Sequence, residues 1–285
     1  DLFSSYSSVQ VSSAMGTDRI SNIEILKFID RSVALSLGNA GNDRLRGDAQ
    51  SVTNSDVMAG GFGNDTLDGG LQDDLLYGNA NDDHLSGGSG RDTLFGGTGD
   101  DHLTGNTGSD RLVGAAGDDV IEGGSGRDRA LGGTGADELI GGTEGDTLLG
   151  NGGTDILKGG RGADTLFGGS HGDDLNGQKG ADVIDAGVGA DTLEGAEGND
   201  ILTGGSAADI FVFGDDEHIV HDEEMGDALI YPDGKIAAAE TKDFVKTGFD
   251  FFQIFLRHRT VEESLSLLFA FHAKAHNEVF FFVQI

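Results

Sequence analysis

From Gly60 onward, large apolar residues recur every nine positions, beginning Leu67, Leu76, Leu85, Leu94, Leu103 and ending at Phe211. Each sits in a triplet whose outer members are mostly polar, a pattern that predicts a short strand with its middle side chain turned inward. The six residues between triplets are glycine-rich and predict a turn. Gly60–Val212 therefore divides into seventeen units of nine, starting GGFGNDTLD, GGLQDDLLY, GNANDDHLS and closing with GGSAADIFV. Two units make one coil, so each residue stacks on the residue two units away, with strands about 4.8 Å apart.

The other positions keep the same phase. The sixth is Asp in all seventeen units, and the first is Gly in sixteen, the exception being Ala186. The fourth is Gly in twelve; Gln72, Asn81, Glu144, His171 and Ala207 fill the rest. The eighth is Leu, Ile or Phe in sixteen, with Ala130 the exception. So much regularly placed glycine predicts a backbone that repeatedly needs positive φ. An isolated copy, GNAGNDRLR, lies upstream at Gly38–Arg46 with Asp43 and Leu45 in phase. Ser51–Ala59 keeps the phase through Asp56 and Met58 but has lost its glycines.

Composition narrows the partners. The 285 residues hold 18 Lys plus Arg against 50 Asp plus Glu, for a formal net charge of −32. Phosphate would be repelled, which excludes nucleic acid as a natural partner and disfavours an anionic membrane surface. The natural counterions are cations. Fifty glycines beside one proline, Pro232, do not describe a Pro/Gly-rich linker, and with no cysteine there is neither a disulfide nor a thiolate metal site. The longest apolar runs, Phe249–Leu256 and Val279–Val283, are too short for a membrane span of roughly 18 residues. The sequence starts at Asp1 with neither an initiator Met nor a signal peptide, as expected of a trimmed chain or a piece of a longer one.

Stacked coils put the sixth-position aspartates in rows. Carboxylates so placed repel by about 1 kcal/mol per neighbouring pair in water, and by more at lower dielectric. A hard divalent cation among them, completed by turn carbonyls, reverses the sign. The pattern resembles the RTX, or haemolysin-type, calcium-binding nonapeptide GGxGxDxUx over more than half of the chain. That resemblance implies an all-β fold, a right-handed parallel β-roll (β-solenoid), to which the flanks are expected to add capping segments and a short C-terminal α/β flank. It implies multiple Ca2+ ions held by the Asp side chain and by carbonyls of the first four positions of adjacent turns. The implied ligands are Asp43, Asp65, Asp74, Asp83, Asp92, Asp101, Asp110, Asp119, Asp128, Asp137, Asp146, Asp155, Asp164, Asp173, Asp182, Asp191, Asp200 and Asp209. Stacking of alternate units gives about fifteen sites at most, whose charge of about +30 would nearly cancel the formal −32. Sites next to Gln72, Glu144 and His171 are expected to be weaker or strained.

The ninth position carries a second period. In even units it reads Tyr77, Phe95, Val113, Leu131, Leu149, Phe167; in odd units it reads Asp68, Ser86, Thr104, Glu122, Ile140, Lys158. One outer face thus bears an apolar stripe. Strand propensity alone accounts for it; so does a docking surface for a flank of the same chain or for a protein partner.

The flanks differ in composition. Thr17–Asp30 resembles the degenerate strands that precede such arrays, and Asp216–Ile230 loosely resembles those that follow. Thr260–Glu263 forms a capping box ahead of a predicted helix, Ser264–Ala275, and Glu278–Ile285 reads as a strand. Glu278-Val-Phe-Phe resembles the C-terminal signal read by type I secretion machinery, and a plain capping strand is the alternative.

Catalytic patterns do not hold up. GGSHG at Gly168–Gly172 formally fits G-x-S-x-G, but it lies in repeat phase, so Ser170 is expected in a turn. His218 and His221 lack the glutamate of HExxH, and His272 and His276, one helical turn apart, lack a third zinc ligand. The sequence thus predicts an N-terminal cap over 1–59, a calcium-binding roll over 60–212 and a C-terminal cap over 213–285. The implied function is a secreted, non-enzymatic module that folds on calcium after export and serves as the scaffold of an exoprotein. Two alternatives remain: a complete small secreted interaction protein similar to nodulation protein O, and the C-terminal part of an RTX protease, lipase, epimerase or cytolysin.

Overall fold

A computed structural model of the protein describes residues 34–47 and 55–212, together with the backbones of six strands after residue 217. The described residues contain strands and turns and no helix. The chain divides into two units, 1–139 and 140–285, with the boundary inside strand Glu138–Thr143.

In the first unit, alternate strands build two parallel sheets. One runs through Ala34–Leu37, Asp56–Phe62, Leu75–Ala80, Thr93–Thr98, Arg111–Ala116 and Arg129–Thr134. The other runs through Arg44–Arg46, Thr66–Leu71, His84–Ser89, His102–Thr107 and Val120–Ser125. Partners within the array are eighteen residues apart, as in Leu94↔Leu112. The isolated upstream copy joins the same stack, with Leu45 opposite Leu67.

The second unit repeats the scheme. Thr147–Gly152, Thr165–Ser170, Val183–Val188 and Asp200–Ser206 form one parallel run; Ile156–Arg161, Asp174–Lys179, Thr192–Glu194 and Ile210–Val212 form the other. Past the array, His218–His221 and Ala228–Ile230 each add one more parallel strand. Pairing then turns antiparallel, through Asp243–Thr247, Phe251–Ile254 and Phe269–Phe271 on one sheet and Ile236–Ala238 on the other.

Most array strands are six residues long, twice the expected three, because pairing continues through positions one to three. That continuation needs left-handed backbone at the second position of every unit, supplied by glycine or by residues such as Asn79 (φ 83°) and Asn106 (φ 74°). The C-terminal helix expected over Ser264–Ala275 is corrected at Phe269–Phe271, a strand paired with Phe251–Gln253. Phe-Ala-Phe alternates with the period of a strand, and the edge of Phe251–Ile254 offers it backbone partners. The rest of that segment, Thr17–Asp30 and Glu278–Ile285 lie outside the described residues.

The core is a single file of side chains per sheet. All seventeen eighth-position residues, from Leu67 to Phe211, have no solvent exposure, and Met58 extends the file upstream. Burying one such leucine side chain contributes about 2 kcal/mol.

Candidate metal centre

The sixth-position aspartates are the other buried set, all seventeen at most 3% exposed. Buried carboxylates require partners, and their bonding is the same from coil to coil. Asp101 shows it. Its amide donates to Asp119 Oδ1 at 2.8 Å, its carbonyl accepts from the Val120 amide at 2.9 Å, and its Oδ1 accepts from the Asp83 amide at 2.8 Å. Asp101 Oδ2 is buried without a hydrogen-bond partner. The same holds for Oδ2 of Asp65, Asp74, Asp83, Asp92, Asp110, Asp119, Asp164, Asp173, Asp182 and Asp191.

The first-position glycines explain where that oxygen sits. They are not at positive φ. They are small because the carboxylate lies over them: a Cβ on Gly96 or Gly114 would collide with Oδ2 of Asp101 or Asp119. At Gly69 the added atom would meet both Asp74 Oδ2 and, at 2.7 Å, the Gly87 carbonyl of the next coil. The fourth position is the second left-handed point of every unit, and its carbonyl is directed at the same position one coil further on. A Cβ on Gly108 would strike the Gly90 carbonyl and come within 3.1 Å of Asp110 Oδ1; one on Gly180 would strike the Gly162 carbonyl and come within 3.0 Å of Asp182 Oδ1. Each turn is thus lined by backbone carbonyls and one edge of a carboxylate. Among the described residues no three His, Cys, Asp or Glu side chains converge, so the donor set is one of oxygens, largely backbone. Hard cations of the calcium type take such a set.

The carboxyls are electrostatically loaded. Burial, opposed by the backbone hydrogen bond and reinforced by neighbouring aspartates, pushes Asp74, Asp92, Asp101, Asp119, Asp173 and Asp182 up to about 7 and Asp83 to about 6. Asp65, Asp110, Asp164 and Asp191 are raised by burial in the same way.

A family model for the RTX calcium-binding nonapeptide repeat matches overlapping spans that together run from residue 37 to residue 217. The chain belongs to this family. A comparison with curated proteins returns no match. The RTX repeats are calcium-binding, and their oxygen-lined turns fit multiple Ca2+ ions.

Within the RTX array, Asp56 is a member of the ladder that the glycine pattern hides. It is 2% exposed, and its amide donates to Asp74 Oδ1 at 2.7 Å. The retained phase of Asp56 and Met58 is the signal that finds it. Asp43 joins the ladder through its amide, which donates to Asp65 Oδ1 at 2.7 Å across a chain separation of 22 residues, but it is half-buried and its Oδ2 accepts from the Asn39 amide at 2.7 Å. Ser170 closes a strand, and its hydroxyl donates to the Asn151 carbonyl at 3.2 Å. His218 and His221 lie on one strand, His221 opposite Asp243 in the backbone register; His272 and His276 lie outside the described residues. On the apolar face, the Tyr77 and Phe95 rings stack with centroids 5.1 Å apart, and the Arg111 guanidinium covers Phe95 at 5.1 Å. In the second unit Leu149 pairs with Phe167, which is 39% exposed. No helix among the described residues is long and apolar enough to cross a membrane.

Proposed function

We propose that this chain is a secreted calcium-dependent β-roll module that folds on Ca2+ after export and acts as the folding, stability and binding scaffold of an exoprotein. The buried Oδ2 ladder carries this reading. Eleven named carboxylate oxygens, sealed from water and without hydrogen-bond partners, are compatible with a stable fold only when a cation or a proton neutralises them. The ligands are Asp43, the seventeen array aspartates from Asp65 to Asp209, and turn carbonyls of the first four positions. When bound, calcium supplies charge neutralisation and links successive coils; the chain supplies a row of oxygens and a leucine file that closes behind them. Folding is thereby tied to the calcium level outside the cell, and type I export of an unfolded chain is the route that suits it.

Circular dichroism of the chain with calcium and with a chelator tests this. Strand content is expected in calcium and lost in chelator, and equal content in both would refute the proposal. The stacked Tyr77 and Phe95 favour a second reading, in which the roll is itself an interaction protein whose apolar face docks a flank or a partner.

A further inference from the structure

His84 and His102 occupy the seventh position of neighbouring strands and are direct partners in the parallel register. Their rings stack with centroids 4.5 Å apart and planes 22° from parallel, and their Nδ1 atoms face each other at 2.7 Å. His84 is exposed and His102 half-buried, so the pair opens to solvent on the outer surface of its sheet. We propose that this pair is a surface site for a borderline transition-metal ion such as Zn2+ or Cu2+, separate from the calcium turns.

Two observations carry it. The first is geometric. Two nitrogens bound tetrahedrally to one zinc at about 2.0–2.1 Å stand about 3.4 Å apart. Rings whose Nδ1 atoms already lie 2.7 Å apart need to part by less than about 1 Å and to turn their planes toward a shared ion, a movement about two side-chain torsions each. The strand register holds the two Cα atoms as neighbours and so fixes the bite. The second is the setting. Thr66 and Val120 flank the pair along the ladder, and Ser86, Thr104, Asp68 and Glu122 occupy the neighbouring ninth positions. None is cationic, and the chain's −32 charge enriches cations at its surface. Water completes the shell, since among the described residues no third His, Cys, Asp or Glu joins the pair. Imidazole selects zinc or copper, whereas calcium prefers the carbonyl and carboxylate oxygens of the turns, so the two ion classes sort without competing.

The test is zinc titration of the full chain in saturating calcium, followed by calorimetry and by intact-complex mass spectrometry. Even outer-shell partners of metal ligands contribute about 10- to 100-fold to affinity. Either H84A or H102A is therefore expected to weaken one zinc site by about tenfold or more, and the double variant to lose one zinc per chain with calcium stoichiometry unchanged. A double variant that binds as many zinc ions as the parent overturns the proposal. Should the alanine variants fail to fold in calcium, the unaltered chain decides. Substoichiometric Cu2+ is expected to broaden the imidazole proton signals of His84 and His102 first, and unbroadened signals for that pair overturn the proposal.

Discussion

Asp83 and Asp101, eighteen residues apart in sequence, meet through one hydrogen bond, the Asp83 amide donating to Asp101 Oδ1 at 2.8 Å. The bond commits one carboxylate oxygen to register and leaves the other buried without a partner. Asp101 is pushed up to about 7 by burial first and by Asp83, Asp82 and Asp100 after it, against the lowering effect of that bond. A carboxyl whose folded pKa exceeds its unfolded value binds more protons when folded. Its penalty is therefore complete above about pH 7 and is relieved as pH falls toward 4. In chelator the chain should gain strand content between pH 8 and pH 5. In calcium the trend reverses in effect, because protons compete for the same oxygens, and the calcium midpoint should rise as pH falls from 8 to 6. Circular dichroism at fixed ionic strength measures both, and a midpoint indifferent to pH contradicts the account.

Asp101→Asn separates the two jobs of that side chain. The amide oxygen still accepts from the Asp83 amide, while the charge needed by a cation is gone. Calcium counted per chain should fall by one or two, the folding midpoint should move to higher calcium, and strand content at saturation should stay near that of the parent. Unchanged stoichiometry would remove Asp101 from the ligand set.

Glu144 (φ 74°), Gln72 (φ 78°) and His171 (φ 81°) hold fourth-position backbone that glycine adopts freely. Left-handed backbone costs a non-glycine residue about 1–2 kcal/mol, partly offset by the greater freedom glycine gives the unfolded chain. Glu144→Gly should stabilise the calcium-loaded chain by up to about 1 kcal/mol. Gly108→Val should do the reverse and more, since its Cβ meets the Gly90 carbonyl in addition to the strain at φ 145°. Thermal melts in saturating calcium compare the two.

Leu103 is completely buried between Leu85 and Ile121, its register partners on the two neighbouring strands. Leu103→Ala should destabilise the loaded chain by about 2–5 kcal/mol through lost burial and the cavity left behind. Denaturant unfolding in calcium reads this, with metal stoichiometry at saturation unchanged.

The nine-residue phase makes most of this molecule legible in advance: the leucine file, the aspartate ladder and the eighteen-residue register all follow from position alone. What the phase does not convey is why each glycine is there. First-position glycine reads as a positive-φ residue, yet it is small because a carboxylate oxygen occupies the space its Cβ would need, as Gly96 and Asp101 show. The second position looks more permissive in sequence, accepting Asn79, Ala115 and Gln178, yet it turns left-handed in every unit, as the fourth does. Asp56 escapes a search keyed on glycine, and Phe269–Phe271 shows that helical spacing in a short apolar run yields to an available sheet edge. The histidine pair is invisible in single units, since its members meet only when a register of eighteen is imposed on a repeat of nine.

That mismatch between repeat and register bears on how such a gene can lengthen. Duplicating two units adds a coil and leaves every downstream residue on the sheet it already occupied. Duplicating one unit keeps leucines inward and aspartates aligned, but it moves every downstream unit to the opposite sheet, so an insertion just ahead of Phe95 replaces its upstream partner Tyr77 and leaves Val113 beside it. Genetic growth in eighteens is thus silent for both interior and exterior, while growth in nines rewrites the exterior alone.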